Sequence, residues 1–174
     1  MVRQIISILL LLICFSANAQ QYLAKDGTIT FFSKAPVEDI SAINNKVSAV
    51  YDAKTKALVF QLNITDFIFP KSLMQTHFNE NYLESDIYPK STFVGKVTEN
   101  KNGIANVEGK LTIHGETNFI NVVGNLLVHE NTVYISAVKF IVKLEDYKIK
   151  IPRIVMYNIA EQIEVKVNIK LQKQ

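Results

Sequence analysis

The chain reads as all-β, an antiparallel barrel of about eight strands with a short helical insert closing one end. Alternation of apolar and polar residues recurs along most of its length. It is clearest where Ile163, Val165, Val167, Ile169 and Leu171 interleave with Glu164, Lys166, Asn168, Lys170 and Gln172. Turn residues separate these runs at hairpin spacing, as at Asn102-Gly103 and Gly115-Glu116. One stretch, residues 66–95, breaks the strand rhythm with helical spacing. A two-sheet sandwich is the rival architecture for the same strand count.

The first nineteen positions carry a different signal. Arg3 is followed by an apolar run at 5–15, too short to span a bilayer with its flanks, and then by Ala17-Asn18-Ala19 in the small-x-small pattern of a cleavage site. Residues 1–19 are therefore expected to be a signal peptide and 20–174 one mature domain, periplasmic or secreted. Cys14 is the only cysteine and lies inside the apolar run, behind bulky Leu12 and Ile13 rather than the small residues a lipidation site needs. Cleavage would leave no thiol or disulfide, so the fold must rest on its apolar core. The formal charge is +3, of which Arg3 contributes one, and no basic cluster longer than a residue pair occurs. Nucleic acid is not expected as a partner, nor is an integral membrane segment in the mature chain. The composition is compatible with a homodimer.

Taken in order, residues 27–33 are rich in β-formers and predict a first strand that Pro36 ends. Residues 37–45 read as an irregular turn before a strand at 46–51, and residues 52–55 as turn chemistry. Leu58, Phe60, Leu62 and Ile64 alternate with Val59, Gln61, Asn63 and Thr65, which places the first set inward. Pro70 then stops the extended piece Phe67 to Phe69. Ser72 is read as a helix cap, after which Leu73, Met74, Phe78 and Tyr82 share one face of about three turns. Pro89 returns Tyr88 to extended geometry and residues 92–98 resume a strand. A turn at 99–103 leads to residues 104–114, with Ala105, Val107, Gly109, Leu111 and Ile113 on one face. Residues 117–128 are apolar on both sides, as expected of a strand whose outer face is partly covered. Residues 133–144 place Tyr134, Ser136, Val138, Phe140, Val142 and Leu144 opposite the solvated Lys139 and Lys143, and 145–159 read as a loop with one helical or extended turn.

Side chains for catalysis or metal binding are sparse. His77, His114 and His129 fall on separate elements, and neither HExxH nor CxxC occurs. His77 has Glu80 three residues on, the pairing of a solvated helix face. His114, beside a glycine turn, is placed to bond a turn carbonyl, and Glu84 and Asp86 read as cap and turn residues rather than a carboxylate dyad. There is no GxSxG and no phosphate-binding glycine loop. The reading is of a protein that is not an enzyme and needs no cofactor or metal.

Two ordered motifs add a family resemblance. Glu84, Ser85, Asp86, Tyr88, Pro89, Thr92, Phe93 and Gly95 form an ESD-x-YP-x-x-TF-x-G piece behind the short helix, and residues 109–117 follow as GKLTIHG-x-T. With the closing 145–167 segment, these make the chain resemble the YceI family of exported, lipocalin-like proteins. The resemblance implies an eight-stranded barrel closed by helix, whose apolar interior takes an isoprenoid or other amphiphilic lipid without catalysis. The positions then expected to line the interior and its lid are Phe60, Leu62, Phe69, Met74, Phe78, Tyr82, Phe93, Leu111, Ile113, Phe140 and Val142. The competing expectation is an envelope structural or interaction protein whose aromatic side chains fill the barrel.

Overall fold

In the computed structural model, which describes residues 20–34, 39–150 and 161–174, eight antiparallel strands close into one barrel in simple sequence order. They are β1 (Gln21–Ser33), β2 (Ile40–Asp52), β3 (Ala57–Asn63), β4 (Lys90–Lys101), β5 (Ile104–Ile113), β6 (Glu116–Val128), β7 (Thr132–Lys143) and β8 (Gln162–Lys173). β8 returns to β1, from Tyr22 opposite Lys173 to Phe32 opposite Glu164. The barrel, not the sandwich, is the architecture. The insert between β3 and β4 comprises a 3-10 turn (Ile64–Asp66), the helix α1 (Ser72–His77) and a π-helical turn (Phe78–Tyr82). The expected signal segment at 1–19 lies outside the described residues, as does most of the loop expected at 145–159.

Hairpin chemistry sets the register on one side of the barrel. Asn102 and Gly103 have φ of 54° and 84°, and His114 and Gly115 have φ of 50° and 75°. Each pair is a two-residue turn with both φ positive, whose twist matches the strands it joins. The turn expected at 99–103 is therefore shorter, because β4 runs on to Lys101.

The barrel is filled unevenly. At the end away from α1, Val47, Leu58, Val133, Ile169 and Leu171 are almost completely buried. Tyr22 packs near Tyr51 there and donates its hydroxyl to the carbonyls of His129 and Glu130 at 3.3 and 3.4 Å. Halfway up, Gly95 faces Gly109 across the β4–β5 ladder. A Cβ on either glycine would lie 2.6 or 2.7 Å from the tip of the Phe93 ring, so the two glycines clear the space in which that ring lies.

Two seams are zipped only at this filled end. β2 pairs with β3 from Ser48 to Tyr51 and then leaves it. Residues 40–45, expected within a turn, continue as strand because Ile40, Ala42 and Asn44 alternate into the core. Asn44 is 0 % exposed. It stands in the break, donating from Nδ2 to the Asn63 carbonyl at 3.0 Å and accepting the Lys46 N–H at Oδ1 at 2.9 Å. Higher up, Ile43 and Ile68 exchange backbone hydrogen bonds at 3.1 and 2.8 Å, so the insert itself supplies the missing strand. Asp66 adds a bridge, accepting from Lys46 Nζ and Asn63 Nδ2, each at 2.9 Å.

The second break follows a bulge in β7. Ala137 sits at φ 54°, and the pairing with β8 shifts between Ile135 and Val138. Val133 and Ile135 point inward before it, and Val138, Phe140 and Val142 after it. Tyr134, expected beside Val138, therefore faces outward, with the Lys170 ammonium 5.4 Å from its ring centroid. The extra residue inverts the alternation, which a fixed period of two does not anticipate. The outer face of β6, expected to be partly covered, is open at Phe119, Val123 and Leu127.

These seams generate two tests. Asn44→Leu takes the amide partner from the part-buried Asn63 carbonyl and Lys46 N–H, and should lower unfolding stability by about 1–3 kcal/mol in a urea titration. The Lys46 ammonium, then the Asn63 amide, hold the Asp66 carboxyl below the ordinary carboxylate range. A depressed folded-state value stabilises the protein above the unfolded-state value and is lost as pH falls through the folded one. Asp66→Asn should thus unfold at lower temperature than the parent near neutrality, with the gap closing in acid. A gap that is the same at both pH values would contradict this account.

Candidate ligand-binding site

The helical insert lies over the open end, and its fold follows from two prolines and one change of pitch. Pro70 ends the extended piece. Lys71 flanks the helix, Ser72 is its first residue, and neither supplies a side-chain cap, so the expected Ser72 cap is not formed. After His77 the helix widens, and the Leu83 N–H reaches the Phe78 carbonyl at 2.9 Å. The wider turn moves the inward face. Phe78 and Leu83 are buried, Met74 and Tyr82 half-buried, and Leu73, expected on that face, is 68 % exposed.

Phe78 is the hub of an aromatic cluster. Its ring centroid lies 4.9 Å from that of Phe69, 5.5 Å from Phe67 and 5.5 Å from Phe31, against which it stacks. Phe67 and Phe69 flank the bridging Ile68, so the backbone pairing with Ile43 turns both rings inward. Such pairs contribute about 0.5–1.5 kcal/mol each beyond their burial. Phe31 comes from β1, so this contact ties the lid to the barrel wall.

A polar clamp holds the other side of the lid. His114, on the β5–β6 turn, meets Glu84 Oε2 through Nε2 at 2.7 Å and the Tyr147 carbonyl through Nδ1 at 3.2 Å. A carbonyl only accepts, so Nδ1 is the donor in the second bond. The Tyr88 ring stacks edge-on at 4.4 Å, leaving the His114 side chain 10 % exposed. Asn118 Nδ2 donates to the Asp146 carbonyl at 2.6 Å, and Lys148 pairs with Glu116 at 2.7 Å. The insert, the β5–β6 turn and the 3-10 turn Glu145–Tyr147 are thereby bound together. The imidazole bonds a carbonyl as expected, but of a neighbouring segment rather than its own turn. Glu84, at φ 44°, serves this clamp while Asp86 is exposed. His77 bonds Asn81 at 2.9 Å, not Glu80. Among the described residues no group of three His, Cys, Asp or Glu side chains is placed to hold a metal ion.

Beneath the lid the barrel is hollow, in three adjoining lobes. The lowest is about 90 Å³, the middle one about 120 Å³ and the uppermost about 40 Å³. All eleven positions expected from the sequence line them. Phe60 and Phe93 face the lowest lobe, and Leu62, Leu111 and Phe140 both this and the middle one. Ile113 and Val142 face the middle lobe, Phe78 stands between middle and upper, and Phe69, Met74 and Tyr82 line the upper. Burial pushes the Tyr82 hydroxyl pKa up, which keeps it neutral. Ser91 lies where the two larger lobes meet, its hydroxyl already donated to the Thr112 carbonyl at 2.8 Å. The lining is otherwise almost wholly apolar, so the space suits a hydrocarbon chain.

Several lining residues were not expected from the sequence. Ile29 and Phe31 sit in a strand whose two faces are both apolar at Phe31 and Phe32, so alternation alone does not select one. Leu83 and Ile149 lie in irregular chain, where periodicity carries no signal, whereas Leu144 keeps the inward parity expected of 133–144 one residue past the end of β7. The aromatic or aliphatic character of residues just outside helix and strand ends was the one available hint.

Comparison with known proteins agrees with this geometry. The crystal structure of BcnA from Burkholderia cenocepacia is 16% identical, with a TM-score of 0.72 over 83% of this chain and 95% of its own. A domain from Saccharophagus degradans, described as polyisoprenoid-binding and implicated in plant cell wall breakdown, is 11% identical, with a TM-score of 0.75 over 90% of this chain and 100% of its own. The Campylobacter jejuni YCEI protein is 18% identical, with a TM-score of 0.62 over 75% and 82%. At these identities the three share the fold. No curated protein matches the sequence. The family model of the YceI-like domain matches residues 20–171, and with its closed eight-stranded barrel and lid-bearing insert, this chain belongs to the YceI-like family.

Proposed function

We propose that the protein is an exported, non-catalytic carrier that holds the chain of an isoprenoid or similar long apolar molecule inside the barrel. The observation that carries this reading is the run of three adjoining apolar lobes from mid-barrel to the underside of the insert. The eleven residues named above are its proposed contacts. Each 100 Å² of hydrocarbon surface they cover would contribute about 2.5 kcal/mol. The polyisoprenoid-binding description of the Saccharophagus degradans domain supports the ligand class, and the sequence at 1–19 supports export to the periplasm or medium. Among the described residues no helix is long and apolar enough to cross a membrane.

A second reading, a barrel filled by its own side chains, draws on the position of Phe78 between the middle and upper lobes. Two measurements separate them. Native mass spectrometry of protein purified from its own host should show an added mass in the range of an isoprenoid; a purely unliganded spectrum there would count against the carrier. Phe78→Ala removes the hub of the aromatic cluster and should cost about 3–5 kcal/mol of stability. For a carrier, retinol, a short isoprenoid, should raise the melting temperature of both parent and variant. For a filled barrel it should raise neither.

A further inference from the structure

We infer that the apolar chain enters and leaves through the side of the barrel, between the upper halves of β6 and β7, and not through the capped end. This rests on the carrier reading and adds its access route. The β6–β7 ladder runs only from Val128 opposite Val133 to Asn125 opposite Ser136. Both strands continue upward beyond it, each still paired on its far side. β6 stays bonded to β5 as far as Glu116, and β7 to β8 from Val138 to Lys143. The Ala137 bulge is the cause, since it displaces β7 at the point where the ladder stops.

The other half-zipped seam, between β2 and β3, is closed by Asn44 and by the Ile43–Ile68 bridge. Between β6 and β7, among the described residues, no backbone segment takes that place. Ile120 and Val122 face Val138 and Phe140 across the split, all four half-buried and all four lining the lowest lobe. Outside the split, Phe119, Val123 and Ile141 are exposed, at 67, 53 and 52 %. An apolar path thus runs from solvent to the hollow interior, crossed by side chains alone. Widening it breaks no ladder hydrogen bond. Lifting the lid instead would break the Ile43–Ile68 pair, the Phe78 cluster and the His114 clamp. The top of the split is pinned through side chains, by Asn118 Nδ2 on the Asp146 carbonyl, Lys148 on Glu116 and His114 on the Tyr147 carbonyl, which set its upper limit.

The test uses residues that point away from the cavity. In a chain spanning 20–174, which has no native cysteine, Asn121→Cys and Ile141→Cys are joined by a bifunctional maleimide carrying a reducible disulfide. Retinol delivered from cyclodextrin is followed by the rise in its fluorescence on entering an apolar site. The parent and both single-cysteine variants treated with the reagent should load at the same rate. The cross-linked protein should load at least tenfold more slowly and recover on reduction, and pre-loaded protein should release as slowly. Cross-linked protein that loads at the parental rate would overturn the side portal and leave the carrier reading standing. Failure of the unmodified parent to take up retinol would overturn both.

Discussion

The ladder of backbone hydrogen bonds is fully zipped around only one end of this barrel, and much else follows from that. At that end every neighbouring pair of strands is bonded, and the interior is packed with Val47, Leu58, Val133, Ile169 and Leu171. Towards the other end β2 parts from β3 and β6 from β7, so the wall widens where the interior is no longer filled. A hollow needs such a mould. Apolar side chains around a void lose dispersion contacts, and a uniformly zipped wall with the same residues would gain by collapsing onto them. The filled end, with Tyr22 and Tyr51 across its floor, holds the strand spacing for the part that is not filled.

The insert compensates for one of these partings and exploits it. Chain between β3 and β4 must cross the mouth of the barrel, and because β2 has left β3, it finds a free edge at Ile43 to bond with. That single bridge orients Phe67 and Phe69 downward, and Phe78 then has two rings from its own segment and one, Phe31, from β1 to pack against. A helix of six residues has little stability of its own. Here it is held by the cluster below it, and its widened last turn is what turns Phe78 and Leu83 to the same side.

Much of this was legible in the sequence, for reasons that also mark where legibility ends. β5 and β8 alternate without interruption, so both their existence and their inward faces follow from a period of two. Of the eleven positions expected to line the interior, most fall on strands or on the helical spacing of the insert, and Phe69 on the short extended piece before Pro70. The same logic misplaces Tyr134, since a bulge at Ala137 adds one residue and nothing in the local composition announces it. It also places Asn44 in a turn, because asparagine is a turn former unless a buried carbonyl and N–H are waiting for its amide. The N–H is local, on Lys46, but the carbonyl comes from Asn63, nineteen residues away. The widened turn after His77 defeats the i, i+4 rule in the same manner by bringing Leu83 inward, while Leu73, in the regular part of the helix, is exposed.

A strand edge left free for nine residues is ordinarily an invitation to pair with another chain. The upper part of β6 has such an edge, with Phe119 and Val123 exposed beside it, yet three features guard it. The bulge turns β7 away and so prevents a flat, continuous template. Lys139 and Lys143 stand along the facing strand and Lys110 lies opposite Phe119 on β5, each placing a charge where an incoming strand would have to desolvate it. Asn118 closes the top through a side chain, which blocks register without adding a ladder. The edge is thus protected against backbone pairing while its side-chain path stays apolar. That combination discriminates by chemistry, because a hydrocarbon needs no hydrogen bonds to pass and a peptide strand needs all of them.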